Sequence, residues 1–228
     1  MTSSMKLSSP KLYSYSVTSN GIKMSLLMHA MSLDITVVTV DLPNGEQKDA
    51  EFLTLNPNAK IPVLVNGNDV IYESNAIAHY LVTVSDNKHG SSLWPEDPSL
   101  QSKVLQWMFW QVSTWTKAVS PYSFQRVLLP FWGFTSNKKP ITQEDPDFHR
   151  VANALDNALE NRIFLVADHF TLADICLSAD LLFVDEANIP LESYTNITRW
   201  LSRIREQSWW NETKLNAAHF LTNKHVYA

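Results

Sequence analysis

The sequence has a single cysteine, Cys176, among its 228 residues, and it has no long apolar run. One cysteine excludes an intramolecular disulfide and any CxxC redox or zinc pair, and it is typical of a reducing compartment. Thiol chemistry here would therefore need a thiol supplied by another molecule. The first ten residues lack the apolar centre of a signal peptide, and no run of about 18 apolar residues could span a bilayer. We therefore expect a cytoplasmic protein that does not engage a membrane.

Clustered basic charge is absent as well. Lys and Arg total 18 against 23 Asp and Glu, so the net charge is −5, and no dense basic block occurs. Binding to nucleic acid phosphates needs such a block, so nucleic acid is excluded as a partner and small molecules or proteins are favoured. Hydrophobic residues make up 45% and charged residues 18%, the balance of an ordinary globular protein. The length favours two domains.

The first third of the chain alternates between strand and helix patterns. Short runs of β-forming residues flank a stretch with helical spacing, and Asn66-Gly67-Asn68 has the composition of a hairpin turn. Asn56-Pro57-Asn58 is a turn signal that ends a second helix. The predicted strands are 11–16, 35–40, 61–65 and 69–72, and the predicted helices are 20–31, 49–55 and 75–84. The order βαβαββα fills a first domain at residues 9–85.

Strand signals stop after a polar segment with two prolines, which we predict to be a linker at 86–98. Helical periodicity then follows at 100–119, 148–159, 172–183 and 197–204, so we predict an all-helical second domain at residues 99–225. Aromatic residues crowd its first part. Those at positions 107–115 are expected in the core, whereas the later group lies in a stretch broken by prolines. Because small-molecule sites are largely apolar and aromatic, we predict that Tyr122, Phe131 and Trp132 line a hydrophobic substrate pocket.

The strongest local signal is Lys60-Ile61-Pro62-Val63 followed by Glu73-Ser74 at a helix start. After a βαβα pattern, this pair resembles the glutathione-binding half of the cytosolic glutathione S-transferases, which have a thioredoxin-like first domain and an all-helical second one. The resemblance implies a cis Pro62, with the Ile61 backbone pairing with the cysteinyl part of glutathione. It also implies that Glu73 receives the γ-glutamyl ammonium, and that Ser74 holds the γ-glutamyl carboxylate at the helix N-terminus. The alternative is that Glu73 and Ser74 only cap the helix.

A second match lies at the first strand-to-helix junction. Thr18, Asn20, Gly21 and Lys23 look like the T-P-N-G-x-K segment of the bacterial nu class and related phi- and theta-like proteins, with Ser19 in place of the proline. The resemblance puts Thr18 and Asn20 against the glutathione sulfur, with Ser16 and Ser19 as alternatives. A hydroxyl is too weak a base to take the thiol proton, so Thr18 would stabilise the thiolate as a donor. Thr18 or Asn20 could instead serve only as a helix cap.

Three further residues are carried over by resemblance. Gln47 would contact the glycyl end, Lys60 would pair with the glycyl carboxylate, and Arg126 would reach toward glutathione from the helical domain. Gln47 and Lys60 could equally be solvated surface groups. In the second domain, Thr171 and Asp174 look like the helix-capping motif of the family, which is a folding element.

The resemblance implies a glutathione transferase that activates glutathione as a thiolate. The thiolate would conjugate apolar electrophiles, or it would reduce disulfides or peroxides. Glutathione is the co-substrate, no metal is needed, and a homodimer is expected. The alternative is a non-catalytic glutathione- or ligand-binding scaffold, like the transferase-like domain of elongation factor 1 gamma. Glutathione affinity without turnover would identify that second case.

Overall fold

The computed structural model describes residues 7–85, 93–137 and 140–223. Four short strands form one sheet in the order β2-β1-β3-β4. β1 pairs in parallel with β2, because a helix connects them, whereas β1 pairs with β3, and β3 with β4, in antiparallel fashion. The strands are β1 (Lys11–Ser14), β2 (Thr36–Thr39), β3 (Val63–Asn66) and β4 (Asp69–Tyr72).

The predicted βαβαββα order is confirmed. Between β3 and β4, Gly67 takes a φ of 62°, which a side chain would disfavour in this turn. Most of the predicted linker at 86–98 lies outside the described residues. The helices of the first part are α1 (Ser19–Met31), α2 (Ala50–Leu55) and α3 (Ser74–Val84), and a short 3-10 turn covers Glu46–Lys48.

The second part is helical, as predicted. Its helices are α4 (Pro98–Trp110), α5 (Thr116–Ser123), α6 (Leu129–Trp132), α7 (Pro146–Ala158), α8 (Leu172–Ser178), α9 (Thr195–Arg205) and α10 (Ser208–Thr222). Helix α10 lies outside the predicted helical segments, although Trp209, Thr213 and Phe220 are buried along one side of it.

The stretch that we described as broken by prolines is in fact helical. π-helical turns at Gln111–Trp115 and Phe124–Leu128 join α4, α5 and α6 into a continuous helical path, and Pro121 lies inside it. A proline lacks the N–H of the usual helical bond, and π-turns are among the ways in which helices accommodate such interruptions. This path matters for the site because it forms one wall of the cleft between the two parts of the chain.

A shared core joins the two parts. Helix α1 packs against α3 in its own domain and against α8 and α10 of the helical domain. The buried Trp115 indole donates to the Leu177 carbonyl at 3.0 Å, which ties the long helical path to α8. One apolar cluster contains Leu27 of α1 together with Ile175 of α8. The loop before α1 is therefore held against the helical domain by continuous packing.

The predicted capping box at α8 is confirmed. The Asp174 carboxylate is fully buried and accepts from the backbone and hydroxyl of Thr171, from the Leu165 N–H and from the Trp200 indole. Cys176, two residues later, is buried, and burial raises the pKa of its thiol to about 11. Among the described residues, no helix combines the length and the apolar character that crossing a membrane would require.

Candidate functional site

The loop before α1 is built around the Thr18 hydroxyl, which acts as an N-cap. Thr18 Oγ1 accepts from the Gly21 N–H at 3.2 Å and donates to the Tyr15 carbonyl at 2.9 Å. A hydroxyl has one proton, so Thr18 already uses its proton inside the loop. The capping alternative therefore describes Thr18 in this conformation.

Gly21 allows this loop to be tight. A Cβ at this position would lie 2.1 Å from the Tyr15 carbonyl oxygen, far inside van der Waals contact. Only glycine lets the first turn of α1 approach the end of β1 so closely. The match of Gly21 to the family segment thus has a direct steric reason.

Hydrogen bonds between side chains link Asn20 to the start of α3. Lys23 Nζ donates to Ser74 Oγ at 2.9 Å, and Ser74 Oγ donates to Asn20 Oδ1 at 3.0 Å. An ammonium can only donate, so the Ser74 oxygen must accept from it and send its own proton to Asn20. The amide oxygen of Asn20 is thereby occupied. Its Nδ2 group has no hydrogen-bond partner among the residues that the structure describes, and Asn20 lines the cleft.

The other two predicted sulfur contacts differ in position. Ser19 lines the same cleft as Asn20. Burial raises the pKa of the Asp180 carboxyl, and the Ser19 side chain lowers it. Ser16 lines a separate crevice between α1, β2 and α10, beside His29. The structure therefore corrects the grouping of Ser16 with Asn20, because the chain turns between residues 16 and 18 and points their side chains into different cavities.

The Ile61–Pro62 peptide bond is cis, as the resemblance implied. Strand β3 begins its pairing at Val63, so the sheet leaves the Ile61 backbone out of its register. Glu73, at the N-cap of α3, is exposed and has a φ of 71°. The first helical bond of α3 runs from the Ile77 N–H to the Glu73 carbonyl, so the N–H groups of Ser74 and Asn75 precede it.

Gln47 and Lys60 lie outside the lining of the cleft. The Lys60 side chain is exposed, and its carbonyl accepts from Asn56 Nδ2 at 2.7 Å. The Gln47 amide oxygen is buried without a partner among the described residues. A buried acceptor without a donor is suited to a ligand N–H.

The cleft between the two parts has a volume of about 440 Å³. Trp132 lines it, as predicted, and its indole N–H donates to the Tyr15 hydroxyl at 2.9 Å, so the ring is fixed to the first domain. Phe183, which follows α8, also lines the cleft, and it has no local sequence signal for a pocket. The lining comprises Val17, Thr18, Ser19, Asn20, Ile22, Leu42, Thr116, Ser120, Pro121, Ser123, Phe124, Gln125, Leu128, Trp132 and Phe183.

Two of the predicted pocket residues lie elsewhere. Tyr122 is fully buried, stacks edge-on against Phe148 and donates to the Thr142 carbonyl at 2.8 Å. Burial, with a further contribution from the Asp145 charge, raises the pKa of Tyr122 to about 12. Phe131 packs near Phe220 of α10 and does not line the cleft. Because residues 121–132 are helical, Tyr122, two residues before Phe124, points away from the face that carries Phe124.

Arg126 is also corrected. Its guanidinium donates to the carbonyls of Ala187, Asn188 and Ile141 at 2.7, 2.8 and 3.0 Å. It also lies 5.2 Å from the centre of the Tyr122 ring. These contacts hold the connections of the helical domain together, and Arg126 is not among the residues that line the cleft. Among the described residues, no group of three or more His, Cys, Asp or Glu side chains is placed to hold a metal ion.

Comparisons with known proteins agree with this architecture. The family model "Glutathione S-transferase, N-terminal domain" matches residues 8–83, and "Glutathione S-transferase, C-terminal domain" matches residues 115–208. Glutathione S-transferase 3 of Zea mays is 30% identical over 164 residues, covering 72% of this chain and 73% of that protein. Protein URE2 of Candida albicans is 38% identical over 162 residues, covering 69% of this chain and 46% of that protein.

A solved structure is similar over most of the chain. The glutathione S-transferase from Pseudomonas fluorescens superposes with a TM-score of 0.74 at 26% identity, covering 89% of this chain and 97% of that one. The two domain matches, the cis Ile61–Pro62 bond and the helical second domain all point to one family. The chain therefore belongs to the cytosolic glutathione S-transferase superfamily of enzymes.

Proposed function

We propose that this enzyme binds glutathione along the edge of its first domain and activates the thiol with the Asn20 amide. The observation that carries the proposal is the uncommitted Asn20 Nδ2 group in the cleft, next to residues whose own protons are already used. A thiol is a nucleophile as the thiolate, and a fixed N–H donor stabilises that form. Ser19 and the N-terminus of α1 lie beside this donor.

The γ-glutamyl group would bind at the start of α3. Glu73 is exposed and can take the ammonium, while the free N–H groups of Ser74 and Asn75 favour the carboxylate. The Ser74 hydroxyl is occupied between Lys23 and Asn20, so its backbone is the better donor to the ligand. The Ile61 backbone would pair with the cysteinyl part, and Gln47 and Lys60 would contact the glycyl end.

The second substrate would occupy the apolar part of the cleft. Phe124, Leu128, Trp132 and Phe183 form its walls, and they suit an apolar electrophile. We propose conjugation as the main reaction. Glutathione-dependent disulfide or peroxide reduction would begin from the same thiolate and is the second activity to assay.

A change from Asn20 to Asp tests the sulfur contact directly. Asp keeps an acceptor for Ser74 but replaces the free N–H donor with a second oxygen, which repels a thiolate. We expect kcat/KM with a chloronitrobenzene electrophile to fall about 100-fold, the lower end of the range seen when one donor to a developing anion is lost. Steady-state kinetics with saturating glutathione give the value.

Ser16→Ala is the matched control, because Ser16 lines a different crevice. We expect it to retain wild-type turnover. Equal losses in Asn20→Asp and Ser16→Ala, or full activity in Asn20→Asp, would contradict the assignment of Asn20. Glutathione binding without turnover toward electrophiles, disulfides or peroxides would favour the alternative of a non-catalytic ligand-binding scaffold.

We also propose that the enzyme is a homodimer. Val70 and Tyr72 are exposed on the edge strand β4, and Leu105, Phe109 and Val112 form an exposed apolar stripe along the long helical path. Phe109 is 67% exposed, which is unusual for a phenylalanine outside an interface. These surfaces suit a second copy of the chain.

The change Phe109→Asp should dissociate that dimer. A charge in the middle of an apolar interface is costly to bury, and we expect the dissociation constant to rise at least about 100-fold. Sedimentation at micromolar concentration would then show a dimer for the wild type and a monomer for the variant. Leu215→Asp, at a residue that is 69% exposed on α10, is the control and should stay dimeric. A monomeric wild type would refute the proposal.

A further inference from the structure

Lys23 is the one lysine of α1, and it is fully buried. Its exposed fraction is 0%, and its ammonium donates to Ser74 Oγ at 2.9 Å, Asn75 Oδ1 at 2.6 Å and Gln111 Oε1 at 2.9 Å. All of these acceptors are neutral. Lysine is almost never fully buried without a charged partner, because removing an ammonium from water is costly. A buried lysine with neutral ligands therefore needs an explanation.

The balancing charge lies in the helical domain. Asp180, in the 3-10 turn after α8, is buried and accepts from Thr116 Oγ1 at 2.7 Å and from Gln111 Nε2 at 3.3 Å. Gln111 thus accepts from Lys23 with its oxygen and donates to Asp180 with its nitrogen. The amide separates the two charges while connecting them. Burial lowers the pKa of Lys23 and raises that of Asp180, and each charge opposes the shift of the other.

The direction of the hydrogen bonds follows from the ammonium. Lys23 can only donate, so Ser74 Oγ accepts from it and donates onward to Asn20 Oδ1. The Asn20 amide is then oriented with its N–H groups toward the cleft. If residue 23 were neutral and could accept a hydrogen bond, the Ser74 hydroxyl could donate to it. Ser74 would then accept from the Asn20 N–H, and the Asn20 amide oxygen could face the sulfur.

We propose that Lys23 is a positioning residue for the glutathione site, which orients the Asn20 amide through Ser74 and places a positive charge behind the N-terminus of α3, with Asp180 as its counter-charge. The inference rests on the proposed function, because it assigns Lys23 to the groups that would contact the sulfur and the γ-glutamyl carboxylate. Since Lys23 belongs to the first domain and Asp180 to the second, the site also depends on how the two domains are joined.

The stability of single and double variants distinguishes a functional charge from a structural one. Removing one member of a buried pair leaves the other charge uncompensated and destabilises the fold, whereas removing both is often neutral. Lys23→Met and Asp180→Asn should each unfold at a lower temperature than the wild type. The double variant Lys23→Met/Asp180→Asn should recover most of that loss. Recovery of stability does not restore the ammonium, so a functional role of Lys23 remains visible in the double variant.

The experiment is a titration of each variant with glutathione and with S-methylglutathione, together with turnover and thermal unfolding. We expect the double variant to bind both ligands about 10-fold more weakly than the wild type, the effect of losing one charge-assisted contact. Its kcat should also fall, because the Asn20 amide is no longer oriented. Lys214→Met is the matched control, since Lys214 is partly buried and bonds the Leu182 carbonyl and Glu186 outside the cleft.

Wild-type affinity and turnover in the double variant would overturn the proposal and would make the charge pair purely structural. If the double variant does not fold, Ser74→Ala interrupts the same chain without removing a charge. A lower kcat in Ser74→Ala is then the expected result, and unchanged kcat overturns the proposal. Failure of the wild type to bind glutathione would instead reject the proposed function, and it would be seen before any variant is compared.

Discussion

Replacing Glu73 with Gln is expected to weaken glutathione binding about 100-fold, equivalent to about 2.7 kcal/mol. Glu73 is the exposed N-cap residue of α3, and it would face the γ-glutamyl ammonium. Gln preserves the shape of the side chain but removes its charge. The ammonium would then lie near the buried cation of Lys23 without the Glu73 carboxylate to compensate it. Isothermal titration with glutathione measures the loss.

A truncated ligand makes this test specific. Cysteinylglycine lacks the γ-glutamyl group, so the wild type should prefer glutathione strongly and the Glu73→Gln variant should lose most of that preference. Glu51→Gln is the control, because Glu51 is exposed in the first turn of α2 and should leave binding unchanged. An unaltered preference in Glu73→Gln would mean that Glu73 is only part of the helix cap.

The change Asp174→Ala is expected to reduce the free energy of unfolding by about 4 kcal/mol. Asp174 satisfies the Thr171 backbone and hydroxyl, the Leu165 N–H and the Trp200 indole in a fully buried position. Alanine would leave these donors in the interior without an acceptor. For a chain of this size the melting temperature should fall by roughly 10 °C, as thermal unfolding followed by circular dichroism would report.

Asp147→Ala is the matched control for this prediction. Asp147 is in the first turn of α7, exposed, and 3.5 Å from the exposed guanidinium of Arg150. Exposed ion pairs of this kind contribute little to stability, so the free energy of unfolding should change by no more than about 0.5 kcal/mol. A similar melting temperature for Asp174→Ala and the wild type would show that the buried donors find other acceptors.

Much of the first domain could be predicted because its signals are local. The Asn66-Gly67-Asn68 turn, the alternation of short strands and the segment ending at Pro57 each depend on neighbouring residues. The helical domain was predicted in outline only. The π-helical turns around Pro121 have no sequence signature of their own, and α10 was missed even though its buried residues recur at helical spacing.

The candidate site was predictable as far as residue types but not as far as hydrogen bonds. The match to Thr18, Asn20 and Gly21 located the loop, and the steric reason for Gly21 became visible in the structure. Whether the Thr18 proton is free depends on the Tyr15 carbonyl, and whether the Asn20 amide is oriented depends on Ser74, which is 54 residues away. Such choices are made by tertiary contacts.

Two residues predicted for the site bind other partners in the structure for a related reason. Arg126 and Tyr122 have side chains that suit a ligand pocket. Where these side chains lie, however, depends on nearby backbone carbonyls that need hydrogen-bond donors. The carbonyls of Ala187 and Thr142 take these donors in the folded protein. A chain rich in aromatic residues contains more candidates for a pocket than the pocket has positions, and only the helical face decides among them.

The packing of α10 on α1 bears on the order in which the protein folds. His29 of α1 meets Thr213 of α10 at 2.8 Å across 184 residues of chain, and Tyr15 packs on Phe220 with ring centres 5.0 Å apart. Contacts between such distant residues close a very large loop at a cost in entropy, so we expect them to form late in folding. On that expectation the thioredoxin-like part gains its last apolar cover when the helical part docks. Assembly of the proposed glutathione site would then depend on the folding of both parts.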